Sequence, residues 1–522
     1  MSDLLGSIGY GDWIIPALLL LPLAGVAPIL IAPARMAKRI ALAVSTLVFV
    51  VSLGLWWAFD ARSGAMQFAT TADWMPFWGI YYRVGIDGIS LFMVLLSTVM
   101  TPLAVLGSWH YITRAERGYY SLLLVMTTGM VGVFVALDMF LFYAFWELIL
   151  IPMYFIIGVW GGSNRLYAAI KFFIYTMFGS LLMLVALLLM VWQIAHQTGI
   201  LSFDYSYILS HTDLLGSSAP WYFAAFALAF AIKVPMVPFH TWLPDAHTEA
   251  PTAGSVLLAA VLLKMGTYGF LRFAVPFFPE VAMGPTVEAL FLSLAVIGIV
   301  HGALVAMVQP DAKRLVAYSS VSHMGFAMLG IWAATIQSVQ GALMVMIGHG
   351  LATGALFFLV GMLYERRHTR LFADFGGLAR VLPLFSLLLT IVALASIGLP
   401  GLNGFVGEFL VLVGSFGAHP WAAGVATTGV IFAAAYMLWA VQRIIYNALD
   451  NPKNEALAGH DLDLRELLVL LPLVAGMIWL GLYPKPVLDR MEPSARRYVE
   501  STVPRSITAL DSPGDRAGED GK

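Results

Sequence analysis

Long apolar runs, separated by short polar connections, follow one another along almost the whole chain. Runs of about twenty apolar residues are long enough to cross a bilayer as helices, whereas the strands of a membrane barrel alternate over about ten residues. The pattern therefore predicts an all-α integral membrane protein without β-strands. We place about fourteen transmembrane helices at residues 13–32, 40–59, 84–106, 119–137, 140–160, 168–195, 221–239, 252–273, 287–308, 315–334, 339–364, 384–416, 422–445 and 466–482.

Two of these spans are interrupted. In span 7, Lys233 stands two residues before Pro235, and Pro238 follows. Because proline removes a backbone donor and clashes with the carbonyl one turn back, the helix should break beside the lysine. Span 12 contains the glycine-rich run 398–404, which lacks the strand–helix context of a phosphate loop and therefore indicates a second break. The breaks lie five spans apart, so spans 4–8 and 9–13 are predicted to form two inverted five-helix repeats.

The same pattern divides the chain into segments: three N-terminal transmembrane helices (1–110), the first repeat (119–273), the second repeat (286–447), the last transmembrane helix (465–484) and a polar C-terminal tail (485–522). The tail is rich in Pro, Gly, Asp and Arg, and we expect it to be largely disordered. The first twelve residues carry no basic side chain, so the first helix is interpreted as a permanent span and not as a signal peptide.

Composition narrows the possible functions. Hydrophobic residues make up 60% of the chain and charged residues only 11%, against roughly 25% charged in soluble domains. A net charge of −2 argues against a nucleic-acid partner. Without cysteine the chain cannot form disulfides or ligate an iron–sulfur cluster through thiolates. No nucleotide-binding fingerprint is present either, so we expect any redox or nucleotide chemistry to lie in another subunit.

Basic residues are concentrated in alternate connections. The connections after spans 1, 3, 5, 9, 11 and 13 hold Arg35, Lys38, Arg39, Arg114, Arg117, Arg165, Lys171, Lys313, Arg314, Arg366, Arg367, Arg370, Arg380, Arg443, Lys453 and Arg465. The opposite connections hold only Arg62, Arg83 and Arg272. The positive-inside rule then predicts that the odd connections are cytoplasmic and that the N-terminus lies outside. The tail disagrees, because it carries Lys485, Arg490, Arg496 and Arg497 on the outer side.

Four ionisable residues lie far from predicted helix ends: Glu147, Lys233, Lys264 and Glu408. A charge at the bilayer centre costs about 2.5–3.5 kcal/mol on insertion scales, so such residues must pair, face the bundle interior or line hydrated cavities. We interpret them as a proton path. Burial disfavours the charged form of a lysine and a nearby carboxylate favours it, so moving Glu147 would switch Lys233 between holding and releasing a proton.

Two histidines extend this path. Lys264, His323 and His349 could pass the proton laterally through water, since histidine has the side-chain pKa nearest 7. Glu408 would be the terminal site.

Structural alternatives remain for each of these residues. The lysines and Glu147 could form static ion pairs, Glu408 could lock the helix break, and the histidines could be satisfied core groups. His301 is a weaker candidate for the path. Four further polar residues fall in a proline-rich connection, where solvated-loop roles are at least as plausible: His240, Asp245, His247 and Glu249.

Several segments carry a family resemblance. They are 232–251 (IKVPMVPFHTWLPDAHTEAP), 263–266 (LKMG), 311–325 (DAKRLVAYSSVSHMG) and 398–405 (GLPGLNGF). They resemble the proton-pumping antiporter-like subunits of respiratory complex I, over essentially all fourteen predicted helices. The acid at position 408 resembles the residue found in the M-type branch of this family, whereas the sibling branches usually have lysine there.

The resemblance implies roles for individual residues. Lys233 would be the central proton-bearing lysine, Glu147 its switching acid, Lys264 the connecting lysine and Glu408 the distal site. Two more residues would lie at polar positions of the hydrated central axis: His323 and His349.

The resemblance also implies an assembly that oxidises NADH, reduces quinone and pumps protons across a bacterial inner or mitochondrial-type membrane. NADH, the flavin FMN, the iron–sulfur clusters and the quinone would belong to partner subunits, with none of them bound by this chain. The partners would be other membrane subunits of complex I, especially the L-type and N-type antiporter-like chains, and the lipid bilayer.

Three other functions fit parts of this pattern. A subunit of a multisubunit sodium/proton antiporter or of a membrane-bound hydrogenase shares the lysine-before-proline break. If the chain were a purely structural membrane scaffold, neutralising Glu147 or Lys233 would change the assembly of the complex. It would not change pumping by the complex that had assembled. A solute transporter fits less well, because the buried polar residues are all ionisable.

Overall fold

The apolar runs form helices in the computed structural model, which describes residues 2–502. Thirteen of the described helices are long and apolar enough to cross a membrane, and one further span consists of two shorter apolar halves. The predicted all-helical membrane fold of about fourteen spans is therefore confirmed. The pairing of spans 4–8 with 9–13 as inverted repeats, and the division into five segments, remain predictions.

The membrane helices are, in chain order, α1 (Tyr10–Ile31), α2 (Ala34–Ala58), α3 (Ser90–Gly107), α4 (Glu116–Val135), α5 (Met139–Trp160), α6 (Arg165–Thr198), α7 (Ala219–Lys233), α8 (Thr252–Phe277), α9 (Pro285–Met307), α10 (Ala312–Trp332), α11 (Ile336–Arg367), α12 (Pro383–Ser396 and Asn403–Ala418), α13 (Pro420–Val441) and α14 (Leu464–Leu482). A last helix, α15, covers Lys485–Thr502. Short α-helices cover Ser2–Ser7 before α1 and, in the connections, Tyr205–Leu209, Trp242–Glu249, Pro279–Ala282 and Pro452–Glu455. Short 3₁₀ turns cover Pro76–Trp78, Thr212–Ser218, Phe372–Asp374 and Leu378–Arg380.

A β-hairpin precedes α3, so the prediction of a strand-free chain is wrong. Strands β1 (Gln67–Met75) and β2 (Ile80–Ile86) pair antiparallel. Gly79 makes the turn with φ of 67°, and a Cβ there would lie 2.1 Å from the backbone oxygen of Leu201. The end of β2, residues 84–86, is apolar and merges with the following helix in the sequence pattern. For that reason the third span, predicted from residue 84, begins only at Ser90.

The segment after α14 is also ordered where the structure describes it, which corrects the prediction of a largely disordered tail. Helix α15 buries Val487, Met491, Ala495 and Tyr498 against the bundle. These positions recur every three or four residues, which gives an amphipathic helix with one apolar stripe. Residues 503–522, the rest of the predicted tail, lie outside the described residues.

The connections lie on two faces of the bundle. Isolated backbone bridges join connections of the same parity: Val84 with Ala136, Asp138 with Asp204, and Asp311 with Leu371. The even connections, with the hairpin and α15, form one face, which we call the hairpin face. The odd connections form the opposite face, which holds most of the basic residues and which we call the arginine face.

Helices α8, α10 and α11 form the core of the bundle. Almost all of their residues are buried, whereas most residues of α2 and α14 are exposed or only partly buried. A polar side chain on one of the three central helices is therefore shielded from lipid by surrounding protein, which is the arrangement that intramembrane charges require.

An ion pair near the arginine face joins α11 to α14. Arg366 donates two parallel hydrogen bonds to the Glu466 carboxylate, at 2.8 and 2.6 Å. Glu466 is 1% exposed, and it also accepts from the backbone N–H of Asp463 at the start of α14. Bidentate arginine–carboxylate pairs are strong and geometrically specific, so this pair fixes the position of α14.

We expect Glu466→Gln to destabilise the protein by about 3 kcal/mol, because the substitution leaves a largely buried guanidinium without its counter-charge. The measurement is thermal denaturation of the purified protein in detergent. Glu492→Gln is the matched control, since Glu492 forms an exposed pair with Arg496 that should contribute less than about 0.5 kcal/mol. Equal effects of the two substitutions would contradict this account.

Candidate functional site

Helix α7 ends at Lys233, where the sequence predicts a break. Pro235 and Pro238 cannot donate backbone hydrogen bonds, and the chain turns until a short helix begins at Trp242. The indole nitrogen of Trp242 donates a 2.9 Å hydrogen bond to the carbonyl of Ile232, which satisfies one acceptor that the break frees. Lys233 is only 2% exposed, so the break leaves its ammonium at a helix end inside the bundle.

Aromatic rings surround the ammonium of Lys233. Its Nζ lies 5.2 Å from the ring centroid of Trp146 and 5.7 Å from that of Phe172, within the range of a cation–π interaction. Glu147 follows Trp146 on α5, but no hydrogen bond or ion pair joins it to Lys233 within residues 2–502. Oxygen Oε1 of Glu147 is buried without a partner there. Glu147 and Lys233 thus lie in the same part of the bundle, but they do not form an ion pair.

Lys264 lies on α8, which contains two π-helical turns, Leu258–Leu262 and Phe270–Ala274. A π-helical turn shifts backbone acceptors out of the α-helical pattern and is frequent at functional sites. The side chain of Lys264 is fully buried and donates to the carbonyl of Ala259 in the first of these turns. Its Nζ also lies 2.5 Å from Nδ1 of His349 on α11.

Two further contacts extend this line across the core. The imidazole rings of His349 and His323 lie 5.6 Å apart between centroids. Nδ1 of His323, on α10, lies 3.0 Å from Oε1 of Glu408, which is in the second half of α12. Lys264, His349, His323 and Glu408 therefore form a line of titratable side chains from four different helices. We call it the central line.

The break in α12 positions the end of the central line. Gly398 adopts a φ of +76°, which favours glycine, and a Cβ there would lie 2.8 Å from Oε2 of Glu408, so a side chain would displace this carboxylate. Asn403, which begins the second half of α12, donates a 3.0 Å hydrogen bond to the carbonyl of Gly348 on α11. The glycine-rich run thus acts as a helix break beside Glu408, as the sequence indicates.

A small cavity adjoins His323, His349 and Glu408, with a volume of about 20 Å³. A buried site needs about 10–15 Å³ to hold one water. Two polar atoms of the lining residues have no partner among the described residues: Nε2 of His349 and Oγ1 of Thr353. The site is therefore polar and large enough for a water that would connect the two histidines.

Helices α7 and α8 pack closely beside the two lysines. A Cβ at Gly266 would lie 2.8 Å from the backbone nitrogen of Val234 and 2.9 Å from the carbonyl of Phe230. The backbone next to Lys233 therefore touches the backbone next to Lys264. No direct hydrogen bond joins the two lysines in the part of the chain that the structure describes.

One further histidine is buried in the bundle, although the sequence predicts a solvated loop as its setting. His247 is fully buried, stacks on Phe357 with centroids 4.6 Å apart, and has no partner on either ring nitrogen among the described residues. Its proline-rich surroundings suggested a solvated loop. Since tertiary packing against α11 buries it, no local pattern would have identified it.

Two other polar residues of that connection make structural contacts. Asp245 forms an ion pair with Lys171 at 2.7 Å, and Oε2 of Glu249 accepts from the backbone N–H of Asn164. The ring of His240 lies 5.3 Å from that of His301.

Comparisons with known proteins show which family the chain belongs to. The family model described as NADH:quinone oxidoreductase/Mrp antiporter, TM, matches residues 136–433. NADH-quinone oxidoreductase subunit M of Rhodobacter capsulatus is 46% identical over 474 residues, which are 90% of this chain and 91% of that protein. NADH-ubiquinone oxidoreductase chain 4 of Marchantia polymorpha is 41% identical over 487 residues, 92% of this chain and 96% of that protein.

Solved structures are also similar to this chain over most of its length. A chain of respiratory complex I from Thermus thermophilus with bound NADH superposes with a TM-score of 0.84 at 33% identity, covering 94% of this chain and all of that one. A chain of the Mrp complex from Dietzia sp., at 23% identity and a TM-score of 0.79, covers 92% of this chain and 52% of that one, and shares the fold. Because relatives that are 41–46% identical match it over about nine tenths of its length, the chain belongs to the family of NADH-quinone oxidoreductase subunit M and its equivalent, chain 4.

Proposed function

We propose that this chain is a proton-translocating membrane-arm subunit of an NADH:quinone oxidoreductase of the respiratory complex I type. The observation that supports this best is the central line of Lys264, His349, His323 and Glu408. These side chains are buried in the middle of a helical membrane bundle, and successive members are in contact or share a water-sized cavity. Intramembrane charges are costly and typically mark ion pathways.

The central line offers a stepwise route for a proton. The ammonium of Lys264 can donate to Nδ1 of His349, 2.5 Å away. An imidazole that gains a proton on one nitrogen can release one from the other, here Nε2, to water in the adjoining cavity. That water would pass it to the pair formed by His323 and Glu408, in which the carboxylate stabilises a protonated imidazole.

Lys233 and Glu147 would control the supply of protons to this line. With Glu147 unpaired, the aromatic rings replace only part of the hydration that the Lys233 ammonium loses on burial, and the missing counter-charge favours proton release. If Glu147 approached, the ion pair would favour the protonated lysine. A conformational change in the assembly that moves α5 relative to α7 would therefore switch Lys233 between holding and releasing a proton.

The proposal also includes the orientation of the chain in the membrane and its partner subunits. By the positive-inside rule the arginine face is cytoplasmic or matrix-facing, and the N-terminus lies on the outer side of a bacterial inner or mitochondrial-type membrane. NADH, FMN, iron–sulfur clusters and quinone would be bound by partner subunits. The neighbours of this chain would be complex I membrane subunits, especially the L-type and N-type antiporter-like chains.

We expect Lys233→Ala to lower both NADH-dependent quinone reduction and acidification of membrane vesicles at least tenfold in assembled complex. Removing the ammonium removes the proton that Glu147 would control, so a coupled enzyme should lose both activities together. Lys453→Ala is the matched control, because Lys453 is exposed on the arginine face and should leave both rates unchanged.

Other outcomes would contradict the proposal. If assembled Lys233→Ala complex pumped normally, the buried charges would be structural. If both rates were normal while sodium tolerance collapsed, the chain would serve a sodium/proton antiporter.

For Glu408 we expect a difference between two conservative substitutions. Glu408→Gln keeps a group that can hydrogen-bond Nδ1 of His323 but cannot accept a proton, so pumping should fall severalfold or more with assembly intact. Glu408→Asp keeps the titratable group and should retain more pumping. The measurement is NADH-driven acidification per assembled complex, and equal pumping by both variants and wild type would show that Glu408 only locks the helix break.

A further inference from the structure

Two hydroxyl groups line the small cavity beside the central line. One belongs to Thr353 on α11 and the other to Ser396, the last residue of the first half of α12, and both side chains are buried. The titratable residues that share this cavity are His349, His323 and Glu408. With a volume of about 20 Å³ the cavity has room for one water, and we call it the relay cavity.

The hydroxyl of Thr353 differs from those of the other buried threonines. A threonine in a helix ordinarily donates to a backbone carbonyl three or four residues earlier. Thr353 is fully buried, yet its Oγ1 has no partner among residues 2–502. Leaving a buried hydroxyl unpaired is costly, so this group needs a partner in the relay cavity. The other buried threonines of the described membrane helices each donate to a carbonyl: Thr98, Thr101, Thr127, Thr128, Thr176 and Thr267.

A second group that needs a partner is Nε2 of His349. Nδ1 of this ring lies 2.5 Å from Nζ of Lys264, whereas Nε2 is buried and unpartnered within the part of the chain that the structure describes. Thr353 follows His349 by four residues, which places the two side chains on the same side of α11, one turn apart. Because both residues line the relay cavity, one water there can bond to Nε2 of His349 and to Oγ1 of Thr353.

Ser396 joins the relay cavity to His323. Its Oγ lies 3.4 Å from Nε2 of His323, whose Nδ1 lies 3.0 Å from Oε1 of Glu408. A carboxylate only accepts hydrogen bonds, so it favours a proton on Nδ1 of a neutral His323 and leaves Nε2 as the acceptor. The hydroxyl of Ser396 then donates to Nε2. Since a hydroxyl can accept one proton while it gives up its own, Ser396 can pass a proton from the cavity to His323.

We propose that Thr353 and Ser396 complete the proton route along the central line, Thr353 by positioning one relay water and Ser396 as a relay hydroxyl. The proton on Nε2 of His349 moves to the water, and the water passes another of its protons to Oγ of Ser396. Ser396 gives its original hydroxyl proton to Nε2 of His323. The water and the hydroxyl each gain one proton and lose one. His323 becomes an imidazolium, whose charge the Glu408 carboxylate stabilises.

This inference rests on the proposed function, and substitutions of the two hydroxyl residues test it. Thr353→Val keeps the shape of the side chain without the hydroxyl, and Ser396→Ala removes the relay hydroxyl. We expect each to lower NADH-driven proton translocation by assembled complex in proteoliposomes about three- to tenfold, the factor that one hydrogen bond typically contributes. Thr353→Ser keeps the hydroxyl and should retain most of the translocation.

Two matched controls remove buried hydroxyls away from the central line. Thr127→Val on α4 and Ser45→Ala on α2 each delete a hydroxyl that donates to a carbonyl of its own helix, and both should leave translocation unchanged. A second readout separates a relay from a packing defect. The ratio of translocation in H₂O to that in D₂O should exceed the wild-type ratio in Thr353→Val and Ser396→Ala, because proton transfer between the histidines becomes the slow step.

Several results would overturn the relay. Normal translocation by either assembled variant would exclude a role for that residue, and lowered translocation with a wild-type isotope ratio would show a packing effect only. If Lys233→Ala complex still failed to pump in those cases, the proposed function would stand without the relay. Should Thr353→Val fail to assemble, electron cryomicroscopy of the wild-type complex decides. We expect a water bonded to Oγ1 of Thr353, and an empty relay cavity in a map that resolves other buried waters would contradict the proposal.

Discussion

The fold of this protein depends on keeping ionisable groups charged or chargeable in the middle of a lipid bilayer. Lipid offers no hydrogen bonds, so each such group needs protein around it and a polar partner beside it. Helices α8, α10 and α11 meet this need because nearly all of their surface is covered by other helices. The central line occupies these three helices and the adjoining half of α12.

Helix breaks make this arrangement possible. A continuous α-helix uses all its backbone groups internally, and its side chains point outwards at fixed positions. The break after Lys233, the π-helical turn near Lys264 and the glycine-rich interruption before Glu408 each free the local backbone from that constraint. At Gly398 the absence of a side chain gives the Glu408 carboxylate the space it occupies. Departures from regular helix thus lie beside Lys233, Lys264 and Glu408.

Much of the fold and part of the site could be predicted from the sequence, for physical reasons. The length of each apolar run matches the thickness of the bilayer, so the number of spans was predictable. Ionisable residues within those runs are rare, so Lys264 and Glu408 stood out. The hairpin was missed because the end of β2, residues 84–86, is apolar and continues into the helix that follows. Helix α15 was missed because its overall polarity outweighed the stripe of Val487, Met491 and Ala495, which a helical period does show in the sequence.

The remaining features depend on tertiary structure. That Glu147 and Lys233 are unpaired depends on rotamers and helix rotation, which no local pattern specifies. The burial of His247 results from α11 packing over it, and the contact of Ser396 with His323 joins residues 73 positions apart.

The central claim is that protonation of the central line changes during turnover. The most direct measurement is infrared difference spectroscopy of the assembled complex as NADH oxidation begins. We predict a carboxyl C=O band that appears or disappears with turnover in wild type and is absent from the Glu408→Gln variant. An identical difference spectrum in both, with no carboxyl band assignable to Glu408, would contradict the account.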